Sequence, residues 1–224
     1  MAELACVTLC TMHAMPAAAP RHMSLLRSYT PADLLTIGNA ACGTIAIFLC
    51  LEHLAAQQVR HLWTAILLLP LALVCDVLDG YVARLDRSRQ SRLGADLDSL
   101  ADVISFGVAP AVLGYTLGLR GGWDILILTY FVVCGVSRLA RFNVTSDALA
   151  DAHTGKVKYF EGTPIPTSVV IVAILAVALW TGRTDQSLWL GVYRIGPAWW
   201  HPLSLLYAAS GSAMISATLR IPKP

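Results

Sequence analysis

Eight residues between positions 76 and 102 have types and spacings that could hold metal ions beside a phosphate. They are, in chain order, Asp76, Asp79, Gly80, Ala83, Arg84, Gly94, Asp98 and Asp102. The first two acids are three positions apart and the last two are four apart, so each pair lies on one face if its segment is helical. Two antiparallel helices joined by the short connection would bring all four carboxylates together.

Four carboxylates in an apolar chain need a counter-charge. Each charge placed in hydrocarbon costs about 2.5–3.5 kcal/mol on insertion scales, and neighbouring anions repel one another. Carboxylate oxygens are hard ligands that suit Mg²⁺ or Mn²⁺, and four of them could hold two such ions, as in other phosphoryl-transfer sites. Gly80, Ala83 and Gly94 would leave room for a ligand, and Arg84 adds a cation suited to phosphate. A pair of acids alone has a simpler interpretation, as an interfacial anchor or a partner for Arg.

The rest of the chain is apolar enough to lie mainly in lipid. Of its 224 residues, 56% are hydrophobic and 13% are charged, which is roughly half of the charged fraction of a soluble domain. Apolar windows near the ~20 residues that span a bilayer predict six transmembrane helices, at residues 33–52, 62–83, 94–117, 123–141, 164–182 and 199–219. We therefore predict an all-α integral membrane protein, with an N-terminal interfacial segment at 1–30 and a six-helix catalytic domain at 31–224. Met23 is an alternative start.

Lys and Arg are unequally divided between the two sets of predicted connections. Twelve of the 16 lie on the side that holds both termini and the Asp-rich connection, and four lie on the other side. The positive-inside rule then places the termini and the acids on the cytoplasmic side, and we expect a bacterial cytoplasmic membrane. The net charge of +2 and the lack of a basic run argue against a nucleic-acid partner.

Further polar residues are candidates for ligand contacts. Arg138 and Arg141 lie three apart at the end of the fourth predicted helix. Their guanidinium groups could hold a carboxylate or a phosphate, or could be ordinary positive-inside anchors. Asn39, in the first predicted helix, could bond to a nucleotide or hold two helices together. The stretch after the fourth helix adds three candidates: Asn143, Phe160 and Gly162.

The eight-residue pattern resembles the signature of the CDP-alcohol phosphotransferases, membrane enzymes of phospholipid synthesis. That signature reads D-x2-D-G-x2-A-R, then eight or nine residues, then G-x3-D-x3-D; here nine residues separate Arg84 from Gly94. Four stretches further resemble the phosphatidylserine synthase branch of this family: LLTIGNAACG at 34–43, DSLADVISFGVAPA at 98–111, SRLARFNV at 137–144 and FEGTPIP at 160–166. The resemblance runs from about residue 31 to the end of the fifth predicted helix.

The resemblance implies a six-helix fold, a homodimer and an active site at the cytoplasmic ends of the second and third predicted helices. It implies transfer of the phosphatidyl group from CDP-diacylglycerol to L-serine, with CMP released. Two Mg²⁺ or Mn²⁺ ions would be bound by Asp76, Asp79, Asp98 and Asp102, and Asp102 would also be the general base. The CDP-lipid would contact Asn39, Asp79, Gly80, Ala83, Arg84 and Gly94. Serine or phosphate would contact Arg138, Arg141, Asn143, Phe160 and Gly162.

Other functions fit parts of the sequence. The acceptor could instead be glycerol phosphate, inositol phosphate or choline, although a phosphorylated alcohol calls for extra cations and choline for an aromatic cage. Intramembrane acids also occur in cation or proton transporters, which tend to place them near the bilayer midplane. A purely structural membrane protein would leave the eight-residue pattern unexplained. Release of CMP on adding CDP-diacylglycerol and serine would distinguish the enzyme from these alternatives.

Overall fold

Apolar helices make up most of the chain in the computed structural model, which describes residues 30–85, 92–151, 159–216 and 220–222. The predicted N-terminal segment and the connection at 86–91 lie outside these ranges, apart from Thr30. The α-helices are α1 Pro31–Ala56, α2 Val59–Leu85, α3 Arg92–Asp102, α4 Ala109–Leu117, α5 Gly122–Asp151, α6 Val169–Trp180 and α7 Leu205–Ile215. A π-helical segment, Val103–Val108, connects α3 to α4, so the two form one continuous helix.

Four helical stretches among the described residues are long and apolar enough to cross a membrane. They are Pro31–Ala56, Val59–Arg84, Gly94–Leu117 and Gly122–Val144, which confirms the first four predicted spans as helices of sufficient length. Two further apolar helical stretches, Ile165–Trp180 and Pro202–Ile215, are shorter. Large apolar side chains face outward, among them Leu67, 69% exposed, and Phe48, 63% exposed. Such an apolar exterior is expected of a protein whose surroundings are lipid.

The start of α1 is fixed by its own sequence. The Thr30 hydroxyl accepts a hydrogen bond from the Asp33 backbone N–H, and the Asp33 carboxylate accepts one from the Thr30 N–H. This reciprocal capping box satisfies two N–H groups that a helix start leaves free, and Pro31 suits the first helical position. One side of the capped helix is buried. That buried side comprises Asp33, Thr36, Asn39, Gly43, Ala46 and Cys50.

Two antiparallel strand pairs accompany the helices in the described chain, so the all-α prediction holds only for the main elements. β1 (Tyr159–Glu161) pairs with β4 (Arg220–Pro222), and β2 (Tyr193–Ile195) pairs with β3 (Ala198–Trp200). The second pair forms a hairpin ahead of α7.

The predicted start of the sixth helix at residue 199 is wrong, because Trp199 and Trp200 lie in β3. The helical backbone begins after His201, as a 3₁₀ turn at Pro202–Ser204 that leads into α7. Asp124 in the first turn of α5 binds His201 twice, accepting from its backbone N–H at 2.9 Å and contacting its ring Nδ1 at 2.6 Å. The backbone at His201 is extended, and the residues before it are paired with β2, so the helix begins after His201.

The core lies between the helices, and buried contacts within it hold α4, α5 and α7 against one another. The rings of Phe131 in α5 and Tyr207 in α7 pack edge to face, with centroids 5.2 Å apart. The buried Tyr207 hydroxyl donates a hydrogen bond to the Pro110 carbonyl of α4 at 2.7 Å. A buried tyrosine of this kind supplies apolar area while its polar atom stays satisfied.

Candidate active site

Three of the four predicted acids come together between α2 and α3. One oxygen atom from each carboxylate of Asp76, Asp98 and Asp102 lies within 4.8 Å of the others. Asp76 belongs to α2, whereas Asp98 and Asp102 lie one turn apart on the same face of α3. Asp102 is buried, and the other two are half-buried. The convergence that the spacing predicted for four acids is thus observed for three of them.

This group of carboxylates fits a divalent cation. Three anionic oxygens at this separation repel one another when they are withdrawn from water. The Oδ1 atom of Asp98 is buried and has no hydrogen-bond partner in the described part of the chain, which leaves an acceptor that a cation would satisfy. The group consists of oxygen ligands alone, the donor set that Mg²⁺ and Mn²⁺ prefer over the nitrogen and sulfur ligands typical of Zn²⁺.

Asp79, the fourth acid, is held by α1. Its Oδ2 atom accepts a hydrogen bond from the Thr36 hydroxyl at 2.7 Å, and both residues are buried. Asp79 is not one of the three mutually close carboxylates. Sequence reasoning missed Thr36, because a Thr in an apolar helix usually bonds to the carbonyl one turn earlier, and the Thr36 hydroxyl does lie 3.2 Å from the Ala32 carbonyl. The available signal was its position between Asp33 and Asn39 on one helix face.

Asn39 connects α1 to Asp102. Its side-chain Nδ2 donates a hydrogen bond to Asp102 Oδ1 at 3.2 Å, and its backbone carbonyl accepts one from the Ser105 hydroxyl at 2.8 Å. This contact supports the interpretation of Asn39 as a residue that holds helices together. Its own Oδ1 is buried and lacks a hydrogen-bond partner among the described residues, so one acceptor remains for a ligand.

Gly43 allows α1 to approach the π-helical segment this closely. A Cβ atom added at Gly43 would lie 2.7 Å from the Cα atom of Ser105, a separation that real side chains do not adopt. Since the neighbouring atom belongs to the backbone, any larger residue would have to push the two helices apart. Gly43 therefore serves the packing that brings Asn39 to Asp102.

The small and basic residues of the pattern occupy the two helix ends beside the acids. Gly80, Ala83 and Arg84 lie in the last two turns of α2, and Gly94 lies in the first turn of α3. A Cβ at Gly80 would meet nothing within 4 Å, so packing within the chain does not require glycine there. Arg84 is exposed. Their contacts with a CDP-lipid stay a prediction.

The candidates in α5 differ in their surroundings. Arg138 is half-buried, interacts electrostatically with Asp102, and has a buried Nε without a hydrogen-bond partner in the described ranges. Arg141 is exposed. Asn143 exchanges hydrogen bonds of 3.0 and 3.1 Å with Ser99, the residue after Asp98. Arg138 is thus placed to contact a ligand at the acids, while Asn143 holds α5 against α3.

The two remaining candidates lie after α5. Phe160 is in β1, and its side chain lies outside what the structure describes. Gly162 is buried, with φ +77°, and a Cβ there would collide with the Met214 carbonyl oxygen. Backbone conformation and packing against the end of α7 account for this glycine without a ligand.

The sequence matches known proteins across most of its length. The family model described as CDP-alcohol phosphatidyltransferase matches residues 29–204. The chain is 41% identical over 205 residues to a CDP-diacylglycerol--serine O-phosphatidyltransferase of Saccharomyces cerevisiae, covering 91% of this chain and 74% of that protein.

Two further relatives are more distant. A Bacillus subtilis protein described in the same words is 34% identical over 151 residues, which are 66% of this chain and 76% of that protein. An archaetidylserine synthase of Methanothermobacter thermautotrophicus is 40% identical over 143 residues, which are 63% of this chain and 55% of that protein.

Proposed function

The chain belongs to the CDP-alcohol phosphatidyltransferase family, and from that membership we propose that it transfers the phosphatidyl group of CDP-diacylglycerol to L-serine. The products are phosphatidylserine and CMP, so the protein acts in phospholipid biosynthesis. The observation that carries this proposal is the convergence of Asp76, Asp98 and Asp102 within the family signature. The names of the similar proteins support serine as the acceptor.

The four acids of the signature would hold two divalent cations. Asp76, Asp98 and Asp102 supply grouped oxygens, and Asp79 lies one turn from Asp76 on α2. When bound, Mg²⁺ or Mn²⁺ would neutralise the pyrophosphate and the negative charge that develops on the departing CMP. Gly80, Ala83 and Gly94 would leave space for the nucleotide, with Arg84 beside it.

Asp102 is the proposed general base. The serine hydroxyl oxygen attacks the lipid-bearing phosphorus, the bond from that phosphorus to the CMP oxygen breaks, and the hydroxyl proton passes to Asp102. Asn39 donates to one oxygen of Asp102, which fixes the direction of the carboxylate and leaves its other oxygen for the proton. Burial excludes water from this position, so positioning and electrostatics supply most of the rate.

Arg138 is the proposed contact for the serine carboxylate or the transferred phosphate. Its guanidinium interacts with Asp102, so a ligand bound there would lie next to the base. Its buried Nε lacks a partner among the described residues, and an anion would supply one. Arg141, on the next turn, is exposed and would meet the ligand or lipid headgroups from outside.

The membrane arrangement forms part of the proposal. We assign the two shorter apolar stretches, Ile165–Trp180 and Pro202–Ile215, to the fifth and sixth spans. The excess of Lys and Arg on the side of the acids supports an active site and termini that face the cytoplasm. The family resemblance supports a homodimer.

The decisive experiment measures CMP release by the purified protein in detergent or vesicles. CDP-diacylglycerol and Mg²⁺ or Mn²⁺ are supplied with serine, glycerol 3-phosphate, inositol 1-phosphate or choline in parallel. Serine-dependent release with formation of phosphatidylserine is expected. Release with another alcohol alone would refute the acceptor while keeping the reaction, and no release with any alcohol would refute the enzyme.

A further inference from the structure

We propose that Thr36 is a positioning residue that sets the direction of the Asp79 carboxylate toward a bound divalent cation. The inference rests on the proposed function, because it assigns a role to a residue that lies outside the eight-residue pattern. It is carried by a buried contact between α1 and α2, the 2.7 Å hydrogen bond from the Thr36 hydroxyl to Asp79 Oδ2.

Both partners of the Thr36–Asp79 hydrogen bond are buried, beside a second contact of the same kind. Thr36 is 4% exposed and Asp79 is 6% exposed, so water cannot readily replace the hydroxyl as a donor. Thr36 lies one turn before Asn39 on the buried side of α1. Each of these two residues donates one side-chain hydrogen bond to a different acid, Thr36 to Asp79 and Asn39 to Asp102. One face of α1 therefore contacts acids from both α2 and α3.

A donor is needed because packing alone fixes an Asp carboxylate poorly. The terminal torsion of Asp is broad, so the carboxylate can rotate about its Cβ–Cγ bond at little expense. The hydrogen bond from Thr36 occupies Oδ2 and adds to one from the Gly80 backbone N–H; together they restrict that rotation and leave lone pairs of the carboxylate for a cation. Hydrogen bonds from outer residues to metal ligands commonly have this role, and their loss typically weakens metal binding 10–100-fold.

The test compares three variants of the full-length protein. Thr36→Val keeps the shape and removes the hydroxyl, whereas Thr36→Ser keeps the hydroxyl. Thr44→Val is the matched control, because the Thr44 hydroxyl bonds within α1 to the Ala40 carbonyl at 2.8 Å. Binding of Mn²⁺ to the purified protein is titrated by the loss of the electron paramagnetic resonance signal of the free ion. The Mn²⁺ dependence of CMP release and the melting temperature are measured alongside.

We expect Thr36→Val to raise the Mn²⁺ concentration for half-saturation about 10-fold, the lower end of the range for such partners. Thr36→Ser and Thr44→Val should bind Mn²⁺ as the unchanged protein does. If Thr36→Val does not fold, Thr36→Ala gives the same comparison. Equal Mn²⁺ binding by Thr36→Val and the unchanged protein, or equally weak binding by Thr36→Ser and Thr36→Val, would overturn the inference.

The titration also separates this inference from the proposed function. If the unchanged protein binds Mn²⁺ and Thr36→Val binds it more weakly, the role of Thr36 stands even where no alcohol yields CMP. If CMP release occurs and Mn²⁺ binding is the same in both proteins, the function stands and the role of Thr36 fails. A protein that does not bind Mn²⁺ at all would contradict both.

Discussion

The acids of the site differ, residue by residue, in what surrounds them. Asp102 is buried, accepts a hydrogen bond from Asn39 and interacts with Arg138. Asp98 has a buried oxygen without a donor in the described chain, and Asp79 is bound by Thr36. Carboxylates in different environments can take different roles within one site. The donor orients Asp102 and the nearby cation favours its ionised form, which can accept a proton, while the unpartnered oxygen fits Asp98 for metal binding.

Replacement of Asp102 by Asn should remove the base and leave the shape unchanged. General-base catalysis typically contributes 10²–10⁴-fold to a rate, so we expect Asp102→Asn to lower serine-dependent CMP release at least about 100-fold. Asp96→Asn is the matched control, since Asp96 lies on the same helix but is exposed, and it should retain normal activity. Equal activity in the two variants would exclude Asp102 as the base.

Chelation tests the metal requirement directly. Removal of divalent cations with EDTA should abolish CMP release, because Arg84 and Arg138 cannot replace the divalent charge on the pyrophosphate and the grouped carboxylates. Addition of Mg²⁺ or Mn²⁺ in excess should restore it, whereas Zn²⁺ should restore it poorly because the ligands are all oxygens. CMP release that persists in the chelated protein would rule out metal-dependent catalysis.

At the scale of elements, α1 organises the site although it carries none of the four signature acids. The buried side of α1 places donors against α2 and α3, Thr36 against Asp79 and Asn39 against Asp102. The close approach at Gly43 brings the Ser105 hydroxyl to the Asn39 carbonyl. The geometry of the acids therefore depends on the packing of a helix that lies outside the signature.

Gly43→Ala tests this packing. The added Cβ would lie 2.7 Å from the Ser105 Cα, and overpacking of this kind costs about 1–3 kcal/mol, so both the melting temperature and the CMP release should fall. Gly38→Ala on the same helix is the control, because its Cβ would meet only the Cys75 Sγ at 3.9 Å. Its melting temperature should stay the same or rise, since Ala favours helix over Gly by up to about 1 kcal/mol. Similar losses in both variants would contradict a special role for Gly43.

Sequence patterns could predict the elements that carry a strong periodic or hydropathic signal. The first four spans and the grouping of Asp76 with Asp98 and Asp102 follow from apolar length and from Asp spacing. Three features could not be predicted, for distinct physical reasons. The π-helical segment Val103–Val108 has no distinguishing residue type; Trp199 and Trp200 pair with β2 in a hairpin although their apolar character also suits a helix; and the role of Thr36 depends on a partner 43 positions away.

At the scale of the whole molecule, the two ends of the helices have different roles. Within the continuous helix from α3 to α4, the part from Asp102 to the helix end near Gly118 is about 24 Å long at 1.5 Å per residue. A cavity of about 520 Å³ lies at that far end, lined in part by Arg120, Trp199 and His201. The buried Asp124 stabilises this end, because it accepts hydrogen bonds from the Gly121 N–H as well as from His201.

A substitution at the end far from the acids should therefore lower the stability of the protein and leave catalysis nearly unchanged. Asp124→Ala removes a fully buried carboxylate and leaves its donors unpaired, so we expect a loss on the order of 3 kcal/mol, with near-normal CMP release at temperatures where the variant stays folded. The control is Asp185→Asn, which breaks an exposed ion pair of 3.4 Å with Arg120 and should lose at most about 1 kcal/mol. Asn also tolerates the positive φ of Asp185. Equal thermal stability of the two variants would disprove the stabilising role of Asp124.

The pairing of β1 with β4 has a consequence for how the protein is made. Glu161 pairs with Arg220, 59 positions later in the chain, while the acids and α1 lie well before either strand. During translation, the helices that carry the carboxylates can pack while β1 still has no partner. β1 acquires its backbone pairing only after α7 has been synthesised and the chain has folded back. The pairing of β1 with β4 can therefore form only after the helices that carry the acids have been made.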